Sequence, residues 1–562
     1  MKYEQPGQQV IVIGAGISGL ATAALLARRG YSVTVVDKRE TTGGRIGEIN
    51  ADDFRFETGP SWYLMPEAYE QFFRLLGTSV DEQFNLTTLD PAYRLWTGPE
   101  EFLDIPYGAE KVAALFESIE PGAGKKLTKY LRSAHLVYAI ALDNFLYTTF
   151  RSPKPLLNPT VLLRTSSLVR YLFEPLQRFV DKQFSDHRLR KILQYPAVFL
   201  STQPATAPSM YHLMSHTDLQ LGVKYPEGGF RAIVNAVEKL ARETGVVFAL
   251  HTEVTKLECS QGRVNAVHVI SATGQHEILR TDLVVSSADL HHTETALLPR
   301  EYQTHSEIAF AKQDPGIGTV LAMLGVRGKL PELAHHSLVL SPHWEKDFHA
   351  IFSPAGALAV DKVSSSIYVC KPSASDDTVA PDGHENLFVL IPTAADVGIG
   401  HGSGYPRRDD VASEAEARSG VNSGAEDGGD ANVHVSTSNS RESATVSAIV
   451  DRALETIMKT TGVTDLRERI VSRHTLGPAD FADDFHSWRG GALGPAHTLK
   501  QSAMFRAQNK SQKLENLYYA GATVAPGVGV PMCLISAENV LKRIDGRTDS
   551  RPMLADEVRH RH

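Results

Sequence analysis

The sequence predicts an α/β protein with a Rossmann-like domain, a mixed-sheet second domain and a helical subdomain. Three observations predict it. A short apolar strand, a glycine turn and a helix open the chain; strand-like runs recur near 246–289 and 517–520; and a helix-rich stretch covers 108–200.

Val10-Ile11-Val12-Ile13 is a β-branched apolar run, as expected of a strand buried on both faces. Gly14-Ala15-Gly16-Ile17-Ser18-Gly19 follows, and Leu20–Arg29 reads as a helix with basic residues in its last turn and Gly30 after it. Ser32–Val36 is a second strand, closed by Asp37. This is one βαβ unit of a dinucleotide fold. In it Gly14 permits the tight turn, Gly16 lets the backbone approach a pyrophosphate, and Gly19 lets the helix pack against the strand. Asp37 stands 18 residues past Gly19, where a carboxylate can accept from a ribose hydroxyl. Thr42-Gly43-Gly44-Arg45 and Glu57-Thr58-Gly59-Pro60-Ser61 are two further turns suited to close backbone approach, the first with a guanidinium beside it.

The helix-rich middle is broken at Pro153, Pro155 and Pro159. Within it, 151–191 carries nine Lys/Arg against three acids, while the whole chain is at −8. Strands are expected at Val246–Leu250, Val264–Ile270 and Asp282–Ser286. Residues 411–446 lack Leu, Ile, Met, Phe, Tyr and Trp and read as a disordered insertion. A helix is expected near Val446–Thr460. Leu517–Ala520 then reads as a buried strand, Pro526–Pro531 as a glycine-rich loop, and Ser536–Arg543 as a helix whose N-terminus can face an electron-rich ring. Residues from Arg547 read as a loose tail.

The chain has 562 residues, 57 Lys+Arg, 65 Asp+Glu and 42% hydrophobic residues, enough for an ordinary core. Its mild acidity argues against nucleic-acid binding. Three scattered cysteines, Cys259, Cys370 and Cys533, suit a reducing cytoplasm and form neither a disulfide framework nor a metal set. No run approaches the ~18 apolar residues of a membrane span, and Met1–Gln9 is polar, unlike a signal peptide. His291-His292 and His335-His336 read as solvated loop histidines, so no metal site is expected. Nothing signals an oligomeric state.

The turns Gly14–Gly19, Asp37 and Gly43-Gly44-Arg45 resemble the N-terminal signature of FAD-dependent amine oxidases. Within that superfamily the chain most resembles the bacterial-type phytoene desaturases of carotenoid synthesis. The likeness continues in Phe56–Ser61, Tyr225–Phe230, Ser286–Leu290, Phe481–Ala503, and Asn516–Ala522 running on to Pro526–Pro531. It covers nearly the whole chain except 411–446 and the tail. Two departures stand out: that insertion, and Asp37 where a glutamate is commoner.

The resemblance implies an FAD cofactor held by Gly14, Ala15, Gly16, Ser18, Gly19, Asp37, Lys38, Gly43, Gly44, Arg45, Gly59, Pro60, Ser61, Val254, Gly521, Gly529, Val530 and Pro531. It divides the chain into FAD-binding parts at 1–107, 226–295 and 476–546, a helical subdomain at 108–225, a substrate domain at 296–475 and a tail at 547–562. It implies a lipophilic polyene substrate, phytoene or a close relative. Hydride passes from an allylic carbon to flavin N5 and a neighbouring carbon loses a proton. Asp143, polar within the apolar stretch 136–150, is the candidate base. A lipid-soluble substrate implies peripheral contact with the inner face of the cell membrane, for which the basic, apolar segment 151–191 is suited. Carotene isomerase, carotenoid ketolase and amine oxidase chemistry fit the same flavin, and a non-catalytic prenyl-lipid carrier fits a related fold.

Overall fold

The computed structural model describes residues 7–151, 165–352, 361–405 and 441–559. Its first sheet has five parallel strands, in the order Leu517–Tyr519, Leu283–Ser286, Gln9–Ile13, Ser32–Val36 and Val247–Ala249. The central strand shows why the apolar run has no polar interruption. Val10 and Val12 face a layer containing the helices Ile17–Arg28, Phe230–Glu243 and Val530–Ile544. Ile11 and Ile13 face an antiparallel sheet, Thr252–Ser260, Arg263–Ser271 and His276–Arg280. Both faces are covered, so both sets of side chains are apolar.

The second large sheet has seven strands, in the order Ile470–Leu476, Ile317–Arg327, His384–Ala394, Ile367–Cys370, His336–Val339, Tyr93–Gly98 and Glu101–Ile105. Only His336–Val339 and Tyr93–Gly98 pair in parallel; the other pairings are antiparallel. Alternation again decides the faces. Val320, Ala322 and Leu324 pack with Val446, Ile449, Val450 and Leu454 of the helix Ala444–Thr461. Leu321 and Met323 pack on the opposite face with Phe54, Phe56 and Phe388.

The third region is helical. Ala109–Ile119, Ala123–Ala141, Leu176–Asp181 and His187–Gln194 share one core around Phe116, Tyr130, Phe184 and Leu189.

Three expectations change. Strands 93–98 and 101–105 belong to the seven-stranded sheet, so the segment expected at 1–107 is divided between the two sheets. The tail is not loose through 559. Met553 and Val558 are buried, Met553 N–H donates to Glu538, and Glu557 pairs with Arg547 and Arg551. The expected insertion ends earlier than 446: Arg441 and Glu442 form ion pairs with Asp480 and Arg473, and Ser443 caps the helix that starts at Ala444. Residues 411–440 lie outside the described residues.

Candidate functional site

The cavity grows from the end of the first strand. Gly14 has a left-handed φ of 96°. Ala15 fixes the turn at both its polar groups: its N–H donates to Asp37 Oδ2 at 2.6 Å and its carbonyl accepts from Gly43 N–H at 2.8 Å. Glycine is needed at Gly44, where φ is 60° and a Cβ would lie 3.1 Å from Gly16 Cα. The helix Ile17–Arg28 begins at Gly16 with no capping side chain and no acid in its first turn. Its free N–H groups and partial positive charge therefore border the cavity, as an anion site requires.

A second helix end comes from the other terminus. Gly529 precedes Val530–Ile544, which also has no side-chain cap. Two buried residues clamp the loop leading to it. Asn509 donates to the Tyr519 and Ala525 carbonyls at 3.1 and 2.9 Å. Arg506 donates to Val524, Pro495, Gln501 and Ala522 carbonyls. Burial pushes the Arg506 guanidinium down to about 10.

These turns open on a cavity of about 910 Å³, near the upper end of the ~300–1,000 Å³ of small-molecule sites. Gly14, Gly16, Ser18, Asp37, Lys38, Gly43, Gly44, Arg45, Gly59, Pro60, Ser61, Val254, Gly521, Gly529, Val530 and Pro531 all line it. Ala15 and Gly19 do not. Ala15 acts through its backbone, and a methyl group at Gly19 would overlap the Gly14 carbonyl oxygen. Asp143 is not brought to the site: it is exposed on the π-turn Leu142–Leu146, whereas its neighbours Phe145 and Leu146 line the wall. A helical turn sends adjacent side chains to different faces.

The polar end fits FAD. Arg45 is half-buried, donates to Ser487 Oγ at 2.5 Å, and keeps a buried Nε without a partner among the described residues. The Ser18 hydroxyl is likewise buried and unpartnered. Burial lowers the Arg45 pKa, opposed by the nearby Asp289 carboxylate. Burial raises that of Asp37, opposed by the N–H groups of Ala15 and Arg39. Lys38 reaches the Asp483 carbonyl and His486, and His486 stacks on His292 with ring centres 3.8 Å apart. His291 pairs with Glu307 and stacks on Trp488.

Beyond this end the wall is mostly apolar. It takes Leu321, Phe388 and Leu390 from the seven-stranded sheet and Tyr138, Leu168, Val198 and Phe199 from the helical region. The sequence reading missed several polar groups behind it. His335 and His336 are 5% and 0% exposed, not solvated loop residues, because the strand His336–Val339 runs through the sheet interior. His497 accepts from Val528 N–H through Nε2, so Nδ1 carries the proton and donates to Tyr211 at 3.1 Å. Asp218 accepts from Tyr195 and Tyr93, at 2.7 and 3.3 Å. Their partners are distant in sequence, which leaves no local signal. Tyr225–Phe230, quoted above for the family likeness, carries Gly229 at the start of the helix Phe230–Glu243, which Glu57 caps through Phe230 N–H.

Comparison with known proteins agrees with this geometry. A model of the flavin containing amine oxidoreductases matches residues 17–354. A carotenoid 3,4-desaturase of Haloarcula japonica is 34% identical over 96% of this chain and 98% of its own. A phytoene desaturase of Fusarium fujikuroi is 29% identical over 98% and 92%. An oxidoreductase structure from Methanosarcina mazei shares the fold, with a TM-score of 0.55 at 16% identity over 95% of this chain and 100% of that one. The chain thus belongs to the flavin containing amine oxidoreductase family and, within it, to the carotenoid desaturases, with FAD as its cofactor.

Proposed function

We infer that the protein desaturates a carotene, phytoene or a close relative. The observation that carries this reading is one cavity that starts at two uncapped helix ends and continues between apolar walls. A long polyene has no ionisable group and buries favourably along such walls, at roughly 25 cal/mol per Å² of apolar surface. Bound FAD supplies the hydride acceptor. The chain's part is to hold the cofactor through the glycine turns, Asp37 and Arg45, to lay an allylic carbon beside it, and to exclude water.

The test is an anaerobic mixture of FAD-loaded protein and phytoene. Bleaching of the flavin, with product lighter by two hydrogens per new double bond, is expected. Unchanged mass would indicate an isomerase, and added oxygen a ketolase; no bleaching would overturn the reading. A second substrate has its own support. The 34% identity to a carotenoid 3,4-desaturase exceeds the 29% to a phytoene desaturase, which favours a carotenoid desaturated at its 3,4 position. Presenting both substrates separates the two.

Membrane contact is part of the same proposal. Val169 and Phe173, on the helix Thr165–Phe173, are 45% and 72% exposed, and Met504 and Phe505 are 46% and 65% exposed. Val169, Met504 and Phe505 also line the cavity, so apolar side chains from two segments flank its opening. Of the expected contact segment 151–191, residues 152–164 lie outside the described residues. A Phe173→Ser, Phe505→Ser double variant is expected to sediment less with anionic vesicles while keeping its FAD.

A further inference from the structure

Desaturation removes one hydrogen as hydride and another as a proton, and Asp143 is not placed to take that proton. A different group of residues is. Ser61, Trp62 and Tyr368 all line the cavity. Ser61 Oγ lies 2.6 Å from Tyr368 Oη, and Tyr368 Oη lies 2.7 Å from His336 Nδ1. Ser61 stands two residues past Gly59, where a Cβ would overlap the Arg45 carbonyl oxygen, so only a glycine lets this turn lie close against the end of the double-glycine turn. The chain of hydroxyls therefore starts beside the cofactor end of the cavity. Its far end is fully buried: His336 and Cys370 face each other in the pairing of His336–Val339 with Ile367–Cys370.

We propose that Tyr368 accepts the substrate proton and relays its own to His336, which acts as the positioning base behind it. This rests on the desaturase reading above. The step balances as follows. The electron pair of the second C–H bond becomes the new π bond. The released proton bonds to Tyr368 Oη as the Tyr368 hydroxyl proton moves to His336 Nδ1. After product leaves, the His336 proton returns to Tyr368 Oη and one proton passes through Ser61 to water entering the emptied cavity, which restores the resting chain.

Two features suit His336 to this task. Burial, with His335 beside it, holds its pKa well below the ordinary histidine value, so the ring is neutral before the reaction and gives a transient proton back readily. A weak base suffices, because a C–H next to a carbon losing hydride is strongly acidic. The charged ring is then stabilised by Trp62, whose indole stacks on it with centres 4.7 Å apart and planes at 14°.

Tyr368→Phe and His336→Asn, each FAD-loaded, test the assignment. The readouts are FAD content, substrate dissociation constant, anaerobic single-turnover bleaching, and the isotope effect of deuterium at the proton-losing carbon. Both variants are expected to keep FAD and substrate affinity. Bleaching should slow by ~10²–10⁴, the usual share of general acid–base catalysis, and the isotope effect should rise as proton loss becomes limiting. Bleaching within about threefold of wild type, an unchanged isotope effect, or loss of FAD from both variants would overturn it. Wild-type protein that bleaches with no carotene would instead overturn the desaturase reading, and this assignment with it.

Discussion

Gly16 and Gly19 are three residues apart, and the fold requires each for a different reason. A Cβ at Gly16 meets only Gly44 Cα at 4.0 Å, whereas one at Gly19 overlaps the Gly14 carbonyl. Gly16→Ala is therefore expected to fold normally but to retain FAD poorly, because the methyl group occupies phosphate space. Gly19→Ala should lower unfolding stability by about 1–3 kcal/mol, the usual cost of overpacking. Urea titration and flavin content separate the two. Asp218 supports a pH prediction. Burial raises its carboxyl from 3.8 to about 7, so the fold holds a proton that the unfolded chain releases. Stability then falls as pH rises through that window, by on the order of a few kcal/mol. Asp218→Asn keeps the acceptor for Tyr195 and carries no charge. Its melting temperature should fall less between pH 5 and 7.5 than that of wild type. The glycines and Asp37 were legible because one βαβ unit brings them together within a few turns of chain. Asp218 and His336 were not, because nothing near them in sequence distinguishes a buried polar group from a solvated one.

At the scale of elements, periodicity located strands and helices well where both neighbours are local. The strand at Ser32–Val36 is observed with those bounds, and the helix expected near Val446–Thr460 runs Ala444–Thr461. The C-terminal helix was expected from Ser536 but begins at Val530, because Gly529 and Pro531 start it at the cavity edge. The loop before it depends on Arg506, whose donors hold four carbonyls. Arg506→Met leaves the buried Val524 carbonyl unpaired, at ~1–3 kcal/mol, and takes the donor from three part-buried carbonyls. It should release FAD more readily and unfold at lower urea. The same helix is fastened from outside. Lys542, fully buried, donates to the Tyr147 carbonyl at 2.7 Å and to Arg551. Ending the chain after Gly546 should expose Glu538 and lower the melting temperature.

For the whole molecule, the flanks of the described residues around 405 and 441 come together. Ser443 N–H donates to the His401 carbonyl at 2.9 Å, and a Cβ at Gly404 would lie 3.3 Å from Arg441. Replacing 406–440 with a short Gly/Ser linker should leave FAD content and melting temperature unchanged, because loop-closure entropy varies slowly with length. The five-stranded sheet has a different consequence. Its edge strand, Leu517–Tyr519, pairs with Leu283–Ser286, which in turn pairs with Gln9–Ile13. A ribosome making this protein exposes the first glycine turn several hundred residues before the last one. The nascent polypeptide carries half a nucleotide pocket over that whole stretch, so a chain stopped before Val530 is expected to hold no FAD and to purify colourless.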